Sequence, residues 1–248
     1  MAILFTDLDG TLIFSAKRRT PTDIIVEQKD GEPISCISAY QQEVLPALQN
    51  VIPVTTRSME QYLRIRFPYG FSPKYAITDN GGNLLVDGAP DPAWAEWAKS
   101  VTEEAAEELS LAKAALQSDP DRCFEIRLVD GLFLFTKSGY PEATLSRLNT
   151  GALTEAFFTG QKVYVIPRKL NKGDAAKRLL RRLRAEGETG DVVCAGDSRM
   201  DIPLLCIADA ALFPEDIPEE MITARNKLTH PRERFTDFVT RQFYDRLR

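Results

Sequence analysis

Four short, almost wholly apolar runs recur along this chain, and each breaks at once into polar or acidic residues. Ile3-Leu-Phe5 leads into Thr6-Asp-Leu-Asp-Gly10, Val51-Ile-Pro-Val54 into Thr55-Thr-Arg-Ser58, Tyr75-Ala-Ile77 into Thr78-Asp-Asn-Gly-Gly82, and Val192-Val-Cys-Ala195 into Gly196-Asp-Ser-Arg-Met-Asp201. Runs this short, bounded by turn residues, read as strands buried on both faces, the habit of parallel sheets. Helical patterns separate them: Ala39–Gln49 behind the cap Ser38, Met59–Arg66, the basic stretch Asn171–Arg184, and Ile202–Ile207 before a further strand at Ala210–Phe213. The alternation predicts an α/β fold, a doubly wound parallel sheet with right-handed crossovers.

From Asn83 the rhythm changes. A small hairpin at Asn83–Val86 precedes one long helix, Pro92–Leu116, capped by Asp91. Two hairpins follow, around Asp130-Gly131 and Gly160-Gln161, with a short helix at Pro141–Leu148 between them. Helix and hairpin, twice over, predict an antiparallel α+β domain over 83–167, inserted into an α/β core of 1–82 and 168–248. Near the N-terminus, Ile24–Val26 and Ile34–Ile37 flank Asp30-Gly31 as another hairpin, which either shapes a pocket mouth or edges the sheet. Phe235–Leu247 carries Phe235, Phe238, Val239 and Phe243 in helical register, a stripe for core packing.

Composition removes several classes of function. The 31 basic and 36 acidic residues leave a net charge of −5, which argues against a nucleic-acid surface. No apolar run approaches the roughly 18 residues that cross a bilayer, and the N-terminus reads as strand rather than signal peptide, so a cytoplasmic protein away from membranes is expected. The four cysteines lack metal-ligand spacing and read as free thiols in a reducing compartment, and the single His230 leaves no room for a histidine triad.

Open α/β sheets bind ligands beyond the carboxyl ends of their strands, where these polar residues fall. Asp7 and Asp9 bring two carboxylates to one strand end, at a cost of several kcal/mol unless a cation or proton compensates. A plain Asp-x-Asp-Gly turn accounts for that tetrapeptide equally well. The other strand ends decide against it. Asp197 and Asp201 add hard oxygen ligands of the kind Mg²⁺ takes, alongside Asp7. An aspartate can attack phosphorus, and a second acid two residues on can protonate the leaving oxygen and then activate water. Lys172 and the Thr55 hydroxyl suit phosphoryl oxygens.

Phe5-Thr-Asp-Leu-Asp-Gly-Thr-Leu12, Val54-Thr-Thr-Arg57, Lys172-Gly173 and Gly196-Asp-Ser-Arg-Met-Asp201 resemble, in order and spacing, the four motifs of the haloacid dehalogenase superfamily. Thr78-Asp-Asn-Gly-Gly82 resembles the Asn-Gly segment of its Cof-type, sucrose-phosphatase-like and phosphomannomutase-like members, whose cap lies between the second and third motifs. The resemblance spans the whole chain. It implies that Asp7 is the nucleophile and a Mg²⁺ ligand, and that Asp9 is the general acid/base, its backbone carbonyl a further ligand. Thr55 and Lys172 match the phosphate-binding pair. Asp197 matches the Mg²⁺ ligand of the last motif, and Asp201 a second acid that ligates or orients. The acid at Asp9 favours phosphatase or phosphomutase chemistry, because members without it are typically pumps or carbon–halogen enzymes. Thr56 stands where glycine is common before Arg57, and Arg199-Met200 where an x-Asn pair is frequent; neither change removes a reacting group.

The expected function is Mg²⁺-dependent hydrolysis of a small phosphorylated metabolite, a sugar or polyol phosphate, through an aspartyl-phosphate, with the inserted domain setting specificity. A phosphomutase uses the same residues and stays open, and a silent regulatory module is disfavoured by the intact acids and lysine. Arg57 and Asn80 are the candidate substrate contacts, though the Asn-Gly-Gly turn reads equally as structural, and Arg57 and Arg168 are candidates for steering an anionic substrate. Trp94 and Trp97 read as packing residues, and the basic run Lys177–Arg184 as a solvated helix face.

Overall fold

The first apolar run forms β1 (Ile3–Thr6), buried along its whole length. Beyond it β2 (Phe14–Ser15), β3 (Ile24–Lys29) and β4 (Glu32–Ile37) make a small antiparallel sheet in the order β2-β4-β3. Asp30 (φ 53°) and Gly31 (φ 83°) turn the β3–β4 hairpin in the left-handed conformations that a two-residue connection requires. Ser38 and Gln41 close a capping box at the start of α1 (Ala39–Val44). The helix stops short of Gln49 because Pro46 falls in a tighter 3₁₀ turn at Leu45–Ala47. Next come β5 (Val51–Pro53), α2 (Met59–Leu63) behind a second capping box of Ser58 and Gln61, and β6 (Tyr75–Thr78). Antiparallel β7 (Asn83–Val86) pairs with β6 from Tyr75↔Val86 to Thr78↔Asn83, and β8 (Ala89–Pro90) pairs with β7.

The single helix expected over Pro92–Leu116 is two, α3 (Pro92–Glu104) and α4 (Ala106–Gln117), broken at Ala105. The break falls among Glu103, Glu104, Glu107 and Glu108, whose i, i+4 pairs repel along a continuous helix. Two of them find partners off it: Lys169 Nζ lies 2.6 Å from Glu104, and the Thr154 backbone N–H donates to Glu108 at 2.8 Å. Strands β9 (Arg127–Val129) and β10 (Phe133–Lys137), helix α5 (Pro141–Arg147), and strands β11 (Thr154–Thr159) and β12 (Lys162–Pro167) complete this part as an antiparallel sheet of order β11-β12-β10-β9. Leu109, Ala112 and Leu116 of α4 pack on Leu134, Val163 and Val165. Ala98 and Val101 of α3 pack on Phe133 and Ile166, with Trp97 beside them and Trp94 edge-on to Trp97 at 5.5 Å.

The parallel pattern then resumes with α6 (Lys172–Ala185), β13 (Val192–Ala195), α7 (Ile202–Leu205), β14 (Ala210–Pro214), β15 (Asn226–His230) and α8 (Phe235–Asp245). These strands and the first ones form one parallel sheet, β15-β14-β13-β1-β5, and β6 reaches it through a Val54↔Ile77 bridge. Phe235, Val239 and Phe243 are buried in its core with Leu4, Val51, Val193 and Leu212, and Phe238 stacks on His230. Strand β15 lacks an apolar run; as an edge strand it keeps polar residues toward water.

The computed structural model describes residues 1–246, so Leu247 of the expected stripe lies outside the described residues. The chain divides into two units, Met1–Pro90 with Lys172–Arg248, and Asp91–Asn171. Residues 83–90 therefore go with the α/β unit, because β7 is hydrogen-bonded to β6 along its length, and 168–171 go with the inserted one. Among the described residues all cysteines are free and no helix is long and apolar enough to cross a membrane.

Candidate functional site

Backbone pairing carries the motif residues to one end of the parallel sheet. The Asp7 N–H donates to the Ala195 carbonyl at 2.8 Å, and the Val54 N–H to the Thr6 carbonyl at 2.8 Å, so the loops after β5 and β13 flank the end of β1. Gly10 turns the chain with φ +84°, and a Cβ there would lie 2.3 Å from Asp197 Oδ2. Only glycine allows Asp197 so close to the first loop. Helix α6 begins at Lys172 and presses on α7, where a Cβ on Gly173 would sit 2.3 Å from the Pro203 carbonyl.

The convergence is tight. Lys172 Nζ donates to Asp7 Oδ1 and to Asp201 Oδ1, each at 2.5 Å, with all three side chains nearly or fully buried. Carboxylate oxygens of Asp7, Asp197 and Asp201 lie within 4.8 Å of one another. Burial raises the Asp7 carboxyl well above the usual range; Lys172 pulls the other way, and Asp201 and Asp197 add to the rise. Burial and the neighbouring Asp201 push Asp197 up to about 6, against the pull of Arg232 and Lys172. Lys172 is itself desolvated, but Asp201 and Asp7 outweigh that and hold it charged. Asp201 is fully committed: its Oδ2 accepts from the Asp197 N–H at 3.2 Å, the Ser198 N–H at 2.9 Å and the Ser198 hydroxyl at 2.7 Å. Among the described residues, Asp7 Oδ2 has only a long contact, 3.5 Å, from the Thr11 hydroxyl.

The other expected residues of the α/β unit lie at the neighbouring strand ends. Asp9, half exposed, is gripped by Arg57, whose Nε and Nη2 reach its two oxygens at 2.7 Å each. Thr55 is buried; its backbone N–H donates to Ile77 and its hydroxyl accepts from the Arg57 N–H at 3.1 Å. Asn80, left-handed at φ 56°, donates its backbone N–H to the Thr55 carbonyl at 3.0 Å. Arg168 belongs to the inserted unit, 3.6 Å from Glu155. Three participants were not legible in the motifs. Glu27 and Ser35 come from the β3–β4 hairpin, and Arg232, from the loop before α8, places Nη1 3.2 Å from Asp197.

No protein-family model matches the sequence, and no curated protein is significantly similar to it. Solved structures are. A sucrose-phosphatase from Synechocystis sp., in complex with sucrose and phosphate, superposes with TM-score 0.61 at 16% identity, over 98% of this chain and 97% of that one. The C-terminal domain of a trehalose-6-phosphate phosphatase from C. albicans gives 0.57 at 14% identity, over 98% and 92%. A haloacid dehalogenase-like hydrolase from B. subtilis gives 0.56 at 16%, over 96% and 98%. The chain has the haloacid dehalogenase fold.

In this haloacid dehalogenase fold the donor set suits a divalent cation. Three carboxylates surround one lysine, so negative charge is in surplus, and it adds to the burial that raises Asp7 and Asp197. Such hard oxygen donors fit Mg²⁺. Protons and the cation compete for both Asp7 and Asp197, so Mg²⁺ affinity is expected to fall by at least about tenfold per pH unit below about 6. Titration calorimetry at pH 5 and pH 7.5 checks this; equal affinities would contradict it.

Proposed function

We propose that the chain is a Mg²⁺-dependent phosphatase acting on a small phosphorylated sugar or polyol through an aspartyl-phosphate on Asp7. The observation that carries this is the Asp7 carboxylate: buried at a strand end, with Oδ1 fixed by Lys172 at 2.5 Å and Asp197 beside it. Fixing one oxygen leaves the other to attack. Asp7 and Asp197, with the Asp9 carbonyl, would hold Mg²⁺, which when bound neutralises phosphoryl charge and aligns the ester for displacement.

Asp7 Oδ2 bonds to phosphorus as the bond from phosphorus to the leaving oxygen breaks, and Asp9 gives that oxygen its proton, releasing the alcohol. Water then attacks the phosphorus and passes a proton to Asp9, so inorganic phosphate leaves and Asp7 is restored. Lys172 and the Thr55 hydroxyl hold the equatorial oxygens. Asp201 orients Lys172 in this scheme and is not itself a metal ligand. The inserted unit selects the substrate. In that unit Phe135, Tyr164 and Phe157 form a half-buried aromatic row in register across β10, β12 and β11, with centroids 5.4 and 5.2 Å apart. The likeness to a sucrose-phosphatase and a trehalose-6-phosphate phosphatase supports this substrate class.

The test is phosphate release from p-nitrophenyl phosphate and a panel of sugar and polyol phosphates, with Mg²⁺ and with chelator. Metal-dependent release is expected, with sugar phosphates preferred. No turnover of any ester overturns the reading, and isomerisation of hexose monophosphates without release replaces it with a mutase.

A further inference from the structure

The β3–β4 hairpin belongs to none of the four motifs, yet it sends a carboxylate inward. The pairing of these strands shifts register on both sides of Glu27, between Ile25 and Glu27 and between Glu27 and Gln28. Alternation is broken there, so Val26 and Glu27 are both buried, in keeping with the use of bulges to re-aim a side chain. The Glu27 side chain is 0% exposed and both its oxygens are used. Oε2 accepts from Arg57 Nη1 at 2.7 Å and from the Ser35 hydroxyl at 2.7 Å, and Oε1 from Arg64 Nη2 at 3.3 Å.

What Glu27 holds is the guanidinium that holds Asp9. Arg57 spends Nε–H and one Nη2–H on Asp9, one Nη1–H on Glu27 and another Nη2–H on Ser35, four of its five donors. That leaves no fork with which to grip a phosphate. The expectation that Arg57 binds substrate gives way to a chain of contacts running Glu27–Arg57–Asp9. A buried ion pair is weak evidence of stabilisation, since an apolar replacement of like volume is often as stable. Anchoring the hairpin does not by itself call for a charge at this position.

We propose that Glu27 is a positioning residue of the active site: through Arg57 it fixes the carboxylate of Asp9 for proton exchange with the leaving group. The inference rests on the phosphatase reading above. It concerns one step only, transfer of the Asp9 proton to the ester oxygen as the bond from that oxygen to phosphorus breaks. An alkoxide leaving group needs that proton, whereas p-nitrophenolate departs without it. A misplaced Asp9 is therefore visible as a change in leaving-group dependence, which a general loss of structure does not produce.

The experiment compares kcat/KM for p-nitrophenyl phosphate and for an alkyl phosphate such as glycerol phosphate in the full chain with Mg²⁺. kcat/KM reports steps up to aspartyl-phosphate formation. Glu27→Gln keeps the volume and removes the charge, and Arg57→Lys keeps a charge and removes the fork. Each is expected to lose at least about tenfold more on the alkyl ester than on p-nitrophenyl phosphate, from a general-acid contribution on the order of 10² to 10⁴. Ser35→Ala is expected to shift in the same direction by less, and carries the test where the other two fail to fold. Equal losses on both esters, or none, overturn the proposal while leaving the phosphatase reading intact. Wild-type protein that turns over neither ester removes that reading, and this inference with it.

Discussion

Asp7→Asn is expected to abolish metal-dependent hydrolysis, by at least about a thousandfold, while the fold stays intact. The amide keeps the shape of the carboxylate and still accepts a hydrogen bond from Lys172, now 2.5 Å from Oδ1, but its oxygen is a poor nucleophile toward phosphorus. Stability should move the other way. Burial, with Asp201 and Asp197 adding to it, raises the Asp7 pKa despite Lys172, so the folded protein binds this proton more tightly than the unfolded chain does. The ionised form therefore weighs against folding, with no effect below the unfolded value near 4 and full effect above the folded one. Metal-free Asp7→Asn protein should melt at or above the wild-type temperature at pH 8, and the difference should shrink toward pH 4. Mg²⁺, whose binding should stabilise wild type by about 2.7 kcal/mol at a hundred times its Kd, should raise the melting temperature of the variant far less. Thermal scans with and without Mg²⁺ check both statements.

Lys172→Met carries the largest expected loss of stability, about 3–5 kcal/mol at neutral pH, together with loss of turnover. Methionine nearly keeps the volume, so the effect isolates the charge. Without the ammonium, Asp7 and fully buried Asp201 face each other with no cation between them. Asp7, which burial already holds well above the usual carboxyl range, then keeps its proton at pH values where the same group is ionised in the unfolded chain. The sign follows: the deficit should be smaller at pH 5 than at pH 8, because the folded variant binds more protons than its unfolded chain over that range. Urea denaturation at the two pH values measures it. Equal deficits would point to lost packing in place of unbalanced charge.

The parallel core was legible because each buried strand is an unbroken apolar run, and the acids were legible because they follow those runs directly, as Asp7 follows β1 and Asp197 follows β13. Edges were not. Strand β15 is Asn-Lys-Leu-Thr-His, a composition that pairs on one side and meets water on the other, so no periodicity marks it. The break at Ala105 and the assignment of β7 to the core depend on contacts distant in sequence, with Lys169, Thr154 and the β6 backbone. The site itself divides in the same way. Lys172, Asp7, Asp197 and Asp201 meet, but only contacts distinguish Asp201, whose oxygens are taken by Lys172, Ser198 and the Asp197 amide, from Asp7. Glu27 was hidden because a bulge reverses which face a residue lies on, and Arg232 because it meets Asp197 from 35 residues away.

The role of Asp7 as nucleophile is tested most directly by trapping. Protein mixed with Mg²⁺ and a substrate, quenched during turnover and reduced with borohydride, converts an acyl phosphate on aspartate to homoserine. Peptide mass spectrometry should find homoserine at position 7, in wild type only when substrate is present, and none in Asp7→Asn. Turnover with no homoserine anywhere, or with the reduced residue at another aspartate, would contradict the account.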